Sequence, residues 1–462
     1  MKKILGYLAV VLLLQCPASV VAAAEALTSA GNTADFADYR IDNGGNLHLV
    51  WHDTVVDGGA VMYKLFDSTG FELIPAVQVN TPGSGMPSSW PAISVDAAGL
   101  AYVVWQDATD GEIYFQQLNP ALAPLDGTAV MQGDINVLLA DARLSTAGGN
   151  NAIHPRMRID ANSDLHVVWE SNTGMVEYAK VNPVDGTLLN GPLSLGIVTS
   201  GTGLPDVDVD TAGHAHIVFS SDAGTMTDEI YYAMVDGDPL APTQVRIDPT
   251  LLSVDDGLLA GNVTVNVDTF DDTLYIVFKQ AIMPGLNDVE EIFLTRLNPS
   301  LDAQDGGVAD PAIIKLFEQQ ITKGEGMLQW HVTSRIGSDK RIHATYIDFD
   351  CAAPAPYAIT DAHITFTGTV VIQQNLTMTG SATSCFPQAR SAPRLNRIVW
   401  TDEMMPDPPE IYSSTFTRAE FGDSGFACSL GRRGGTAWQA GELWLLLGLL
   451  SLLGVRHLRR RG

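Results

Sequence analysis

Seven residues recur at corresponding places along the 462-residue chain: Phe36, Trp90, His154, Leu204, Asn262, His331 and Phe386. Aromatic rings stack on the apolar faces of sugars and peptides, and an imidazole adds a hydrogen-bonding edge that can also carry a proton. A second set trails a recurring aromatic in each unit and is mostly acidic: His52, Asp53, Gln106, Asp107, Glu170, Asp222, Asp348, Asp402 and Glu403. Such oxygens suit the polar groups of a ligand or a divalent cation. Phe36, Trp90, His154, His331 and Phe386, together with Asp53, Asp107, Glu170 and Asp402, are therefore the candidate ligand-binding residues, for a glycan, a peptide or a protein.

Other chemistry is less supported. His48, Tyr102, His166, His216, Tyr275, His343 and Arg397 form a column three residues before the recurring aromatic, on the opposite strand face. Separate repeats would hold these side chains too far apart for one ion. The tyrosines among them point to a packing position that tolerates a polar tip, so no metal ligand is assigned. Asp206, Asp208 and Asp210 alternate along one strand face, as a calcium-ligand edge could; calcium is possible, and no other cofactor is expected. No Gly-x-Ser-x-Gly, His-Glu-x-x-His or phosphate-binding Gly loop occurs. Carboxylates are too numerous to single out an acid–base pair, so no catalytic residue is assigned.

These columns exist because the chain repeats. The clearest copy runs from Trp90 to Trp105, and others run Phe36 to Trp51, His154 to Trp169, Leu204 to Phe219, Asn262 to Phe278, His331 to Tyr346 and Phe386 to Trp400. Each reads as strand, turn, strand: alternating apolar residues end in an Asp (Asp42, Asp96, Asp160, Asp210, Asp268), and β-branched and aromatic residues then resume. A third strand follows, as in Glu112–Phe115 or Glu229–Tyr232, and a fourth is visible at Ala76–Asn80 and Thr243–Ile247. The pattern predicts an all-β chain folded as a seven-bladed β-propeller of four-stranded antiparallel blades over residues 25–420. A strand near Leu27 is expected to complete the last blade and cover its open edge. In such a ring, the first positions and the residues after the recurring aromatic share one face.

The Asp and Gly in the turn, as in Asp96 and Gly99, resemble the repeats of sialidases and bacterial neuraminidases. The match departs from that family, whose Gly follows its Asp by two residues rather than three. The resemblance implies the propeller fold and, as the alternative function, a secreted glycoside hydrolase or lyase. Such an enzyme would need arginines gathered on a substrate carboxylate. The first strands offer Arg40, Arg158, Arg335 and Arg390, with no family motif around them.

The two ends read as addresses. Lys2 and Lys3, an apolar run from Ile4 to Leu14 and the small residues up to Ala24 form a secretory signal peptide over residues 1–24. Residues 421–462 carry Cys428, a Gly-rich spacer, the apolar stretch Leu443–Val455 expected as a hydrophobic membrane helix, and Arg456, Arg459, Arg460 and Arg461. This order resembles the tripartite C-terminal sorting signals of Gram-negative bacteria, which a membrane protease processes. It implies the cell envelope or surface as destination. The formal net charge is −27. The body is more acidic still, because many basic residues lie in the two ends, so nucleic acid is not an expected partner. Cys351 and Cys385 are the body's two cysteines, and an oxidising compartment would permit a disulfide between them.

Overall fold

The structure is a computed structural model. It describes residues 25–416 except 29–33, 57–58, 81–87, 109, 125–127, 139, 147–151, 172–173, 199–203, 223–226, 237–244, 254–256, 283–289, 298–314, 323–326, 338, 351–357, 376–382, 393–394 and 404–409. For parts of the strands after residue 314, and for all residues after 375, the backbone is described without the side chains. The expected signal peptide, Cys351, Cys428 and the expected hydrophobic helix lie outside the described residues. Among the described residues, no helix is long and apolar enough to cross a membrane.

The chain forms an all-β propeller of four-stranded antiparallel sheets. Where the sequence shows seven repeat units, the structure has six blades of consecutive strands and one composite sheet. Blades 1 to 6 occupy residues 34–78, 88–143, 153–198, 206–251, 260–320 and 327–375. The composite sheet joins Thr383–Ala392, Leu395–Glu403 and Glu410–Phe416 to Glu25–Ala26 from the other end of the chain. Glu25 pairs with Ser413 and Ala26 with Tyr412, so the short first strand covers what would be an open sheet edge. The innermost strand of each sheet lies against that of the next, and Thr383–Ala392 returns to Ala34–Ile41.

The turn between the first two strands is built by the recurring Asp. The Asp96 carboxylate accepts from the Ala98 and Leu100 amides, both at 2.9 Å. Asp160 and Asp210 do the same for Asn162 and Asp164 and for Ala212 and His214. Gly45, Gly99 and Gly213 take the left-handed turn position, each at φ +85°, which explains a glycine three residues after the Asp.

The core lies between blades. Trp105 of blade 2 packs with Val50, Val61 and Tyr63 of blade 1. Trp169 packs likewise on Tyr102, Val104 and Phe115, and Phe219 on Val168 and Tyr178. Phe278 and Tyr346 repeat the arrangement further round. Each such buried aromatic contributes about 1.5–3 kcal/mol through the water it sheds. The recurring aromatic is thus the glue between sheets, and it leaves the loop-bearing faces to other residues.

Candidate functional site

The first-position residues share an unusual backbone. Phe36, Trp90, His154, Leu204 and Asn262 all have positive φ, between +34° and +53°. The ladder slips at the same place: between Asp35 and Asp38, Ser89 and Ala92, Ile153 and Arg156, and Gly261 and Thr264. This is a β-bulge, which re-aims a side chain out of the strand's alternation. Pro91, Pro155 and Pro205 follow it directly, and a residue without an N–H loses nothing where the ladder is interrupted. For a bulky residue the left-handed region costs about 1–3 kcal/mol, and residues held there cluster at functional sites.

The bulges gather three blades at one mouth. The rings of Phe36 and Trp90 stack at 3.9 Å, and Trp90 meets His154 edge-on at 4.5 Å. His154 Nδ1 lies 3.7 Å from the Glu170 carboxylate. Beside this row, His52, Gln106 and Glu170 occupy equivalent ladder positions, paired with Asp35, Ser89 and Ile153. The His52 ring lies 6.3 Å from that of Phe36, and burial pushes its pKa down, partly opposed by the adjacent Asp53 charge. Both ring nitrogens of His52, Asp53 Oδ2, Gln106 Oε1 and His154 Nδ1 are buried and make no hydrogen bond among the described residues. A row of rings flanked by unanswered donors and acceptors can stack on an apolar ring face and bond the polar groups at its edge.

Of the expected binding residues, Phe36, Trp90, His154 and Glu170 come together. Asp53 Oδ1 is engaged in its own loop, accepting from the Val55 and Val56 amides, while Oδ2 stays open. Asp107 is buried at the end of the second strand of blade 2. The backbones of His331, Phe386 and Asp402 lie in Met327–Ile336, Thr383–Ala392 and Leu395–Glu403. Their side chains, like that of Cys385, lie outside what is described. The ladder slips between Trp330 and Thr333 and between Cys385 and Gln388, so the bulge recurs there too.

The arginines with described side chains do not converge. Arg40 pairs with Asp38 at 3.2 Å, Arg158 of blade 3 reaches Asp206 and Asp208 of blade 4, and Arg335 of blade 6 donates to Val265 and Asn266 of blade 5. Arg158 and Arg335 tie inner strands of neighbouring blades together, while Arg40 contacts Asp38 and Tyr39 on its own strand. The run of three aspartates has similar work: Asp206 and Asp208 accept from the Val265 and Val267 amides of the next blade, and Asp210 belongs to its turn. In the histidine column, Tyr63, Tyr178 and Tyr232 bond Nδ1 of His48, His166 and His216, whose Nε2 atoms face Asp42, Asp160 and Asp210. In these blades the column is the polar-tipped packing position expected of it.

Two features went unread in the sequence. Buried Glu112, Glu229 and Glu291 each accept from a hydroxyl that ends the same blade, Ser145, Ser253 or Thr322. Those hydroxyls accept from the amides of Ile113, Ile230 and Ile292. The recurrence of Leu144-Ser145, Leu252-Ser253 and Ile321-Thr322 was the available signal. His52 and Gln106 stood in the recurring set, and the second feature is that both His52 nitrogens and Gln106 Oε1 are buried with no hydrogen bond among the described residues.

Fold and site together define a β-propeller with an aromatic, polar-flanked mouth on its loop face. Solved structures share the fold. The chain is similar to the polysaccharide lyase Uly1 (TM-score 0.50, 10% identity, covering 88% of this chain and 94% of that one). It is also similar to a protein of unknown function from Dyadobacter fermentans (TM-score 0.47, 10% identity, 85% and 99% covered). A third likeness is to an α-L-arabinofuranosidase of Fusarium graminearum solved with arabinobiose (TM-score 0.43, 10% identity, 71% and 92% covered). No family model matches the chain, and no curated protein matches it in sequence.

Proposed function

We propose that the propeller binds a carbohydrate at the mouth formed by Phe36, Trp90 and His154. The observation that carries this is the stacked row of rings beside buried polar atoms that make no hydrogen bond among the described residues. The bulge is common to the repeats, but here it presents two stacked rings and an imidazole beside open polar atoms, and a sugar ring uses both the faces and the polar edge. The fold shared with a polysaccharide lyase is consistent with a glycan ligand. A glycan array with the purified full chain, Trp90→Ala and His154→Ala tests the reading. Selective signals that fall more than tenfold in the variants support it; signals unchanged in both overturn it.

A second reading, a lyase or glycoside hydrolase, is favoured by one contact. The Glu170 carboxylate lies 3.7 Å from His154 Nδ1, beyond hydrogen-bond reach, and a small closure on ligand binding would let it orient the imidazole for proton transfer. In that case His154→Ala abolishes turnover of an array-selected polysaccharide while leaving binding largely intact. The sialidase-like form finds no support in the described arginines, since Arg158 and Arg335 are engaged between blades and Arg40 with its own strand.

The ends of the sequence complete the proposal: export by the N-terminal leader and retention in a Gram-negative envelope by the C-terminal segment, with processing by a membrane protease. Intact mass of the cell-associated protein distinguishes the forms, since a mass that includes Arg461 excludes processing.

A further inference from the structure

The sixth blade breaks the repeat at three positions that meet in one place. In blades 1, 3 and 4 the histidine column is satisfied by a tyrosine on the third strand and an aspartate in the turn. In blade 6 the column residue is His343. The ladder position held elsewhere by Tyr63, Tyr178 and Tyr232, opposite Val50, Val168 and Val218, is Asp361, opposite Thr345. The position directly across from the column histidine, held elsewhere by Leu65, Lys180 and Met234, is a second imidazole, His363. The turn aspartate is replaced by Gly337, which keeps the same backbone bond to the far side of its turn. A Cβ at Gly337 would lie 2.5 Å from both Asp339 Oδ1 and His343 Nε2. The missing side chain is what lets Asp339 fold back onto the histidine.

The outcome is a compact set of metal-binding groups. Asp339 Oδ1 lies 3.0 Å from His343 Nε2, and the rings of His343 and His363 are 4.0 Å apart. One ligand atom from each of Asp339, His343 and His363 lies within 4.8 Å of the other two. Tetrahedral ligands with bonds of about 2.0–2.1 Å sit about 3.3 Å apart, so closure requires movements of about 1 Å. His363 supplies an independent sign. Its Nε2 is bonded to Asp361 at 2.8 Å, while Nδ1 is buried without a hydrogen-bond partner among the described residues. A carboxylate that fixes one imidazole nitrogen and leaves the other as a bare lone pair is the usual support of a metal-binding histidine. Arg341 reaches Asp339 Oδ2 only at 4.0 Å and is partly exposed, so it can turn away.

We propose that Asp339, His343 and His363 bind a first-row divalent transition cation, zinc fitting best, with Asp361 orienting His363. Two imidazoles and one carboxylate are a zinc donor set that leaves a fourth position for water. The site sits at the turn end of blade 6, on the face of the ring opposite the Trp90 mouth, and it pins the hairpin to the third strand. The histidine column as a whole cannot share one ion, because its members lie on different blades. The second histidine comes instead from the neighbouring strand of the same blade.

The test uses the full chain stripped with a chelator and kept in excess magnesium to occupy surface carboxylates. Wild type is expected to bind one equivalent of Zn2+ with a rise in Tm, and Co2+ to give the visible absorption of a tetrahedral site. His363→Leu, which restores the residue type of blade 1, and Asp339→Asn are each expected to weaken Zn2+ binding more than tenfold. Absence of stoichiometric binding in wild type, or unchanged affinity in the variants, overturns the proposal. Should His363→Leu fail to fold, Asp339→Asn decides.

Discussion

The indole of Trp90 stacks on the phenyl ring of Phe36 at 3.9 Å although the two belong to neighbouring blades, and both are held at positive φ. Alanine at position 90 would keep the left-handed backbone and lose the ring, whereas glycine would also relieve the strain. Trp90→Gly is therefore expected to be more stable than Trp90→Ala by about 1–2 kcal/mol in urea unfolding. Equal stability would mean that the bulge relaxes when the ring is gone.

Tyr178 donates its hydroxyl to His166 Nδ1 at 2.8 Å inside the sheet. Burial pushes the His166 pKa down, so the ring is neutral and its Nε2–H faces Asp160. Tyr178→Phe leaves that nitrogen without its donor, and a loss of about 1–3 kcal/mol is expected. Denaturant midpoints at constant slope check this, and carbohydrate binding should be unaffected.

Asp160 is buried, which alone would raise its pKa, but the His166 hydrogen bond, the Lys180 ammonium and the Asp164 amide together hold it at about 2. A carboxylate depressed by folding stabilises above its unfolded pKa of about 3.9 and stops doing so as pH falls through its folded value. Wild type should therefore exceed Asp160→Asn in Tm at neutral pH, with the gap closing between about pH 4 and pH 2. A gap that persists at the acid end would assign the effect to shape rather than charge.

Closure of the ring depends on the start of the chain. Leu27 is buried with Tyr39, Leu49 and Trp51 and follows the strand that pairs with Glu410–Phe416. Leu27→Ala is expected to cost about 2–5 kcal/mol, like other buried leucine truncations. Hydrogen exchange in the composite sheet should rise with it. Protection there unaffected by the change would place closure elsewhere.

The repeat, the turn aspartates and the first-position column were legible because each is local: a period, an Asp with a Gly three residues on, an aromatic at a fixed distance. The convergence of Phe36, Trp90 and His154 also followed from alignment of the repeats. The bulge beneath them did not, although the prolines at 91, 155 and 205 marked it. What stayed hidden needed register. Tyr178 meets His166, and His363 meets His343, only once second and third strands are paired. The engagement of Arg158 with Asp206 required knowing which blades adjoin.

The most direct measurement is a crystal structure of the full chain with the glycan that the array selects. A sugar ring stacked on Trp90 or Phe36, with its polar groups bonded to His52, Gln106 or His154, is the expected result. A glycan seated away from this mouth, with these buried polar atoms still unbonded to ligand, would contradict the account.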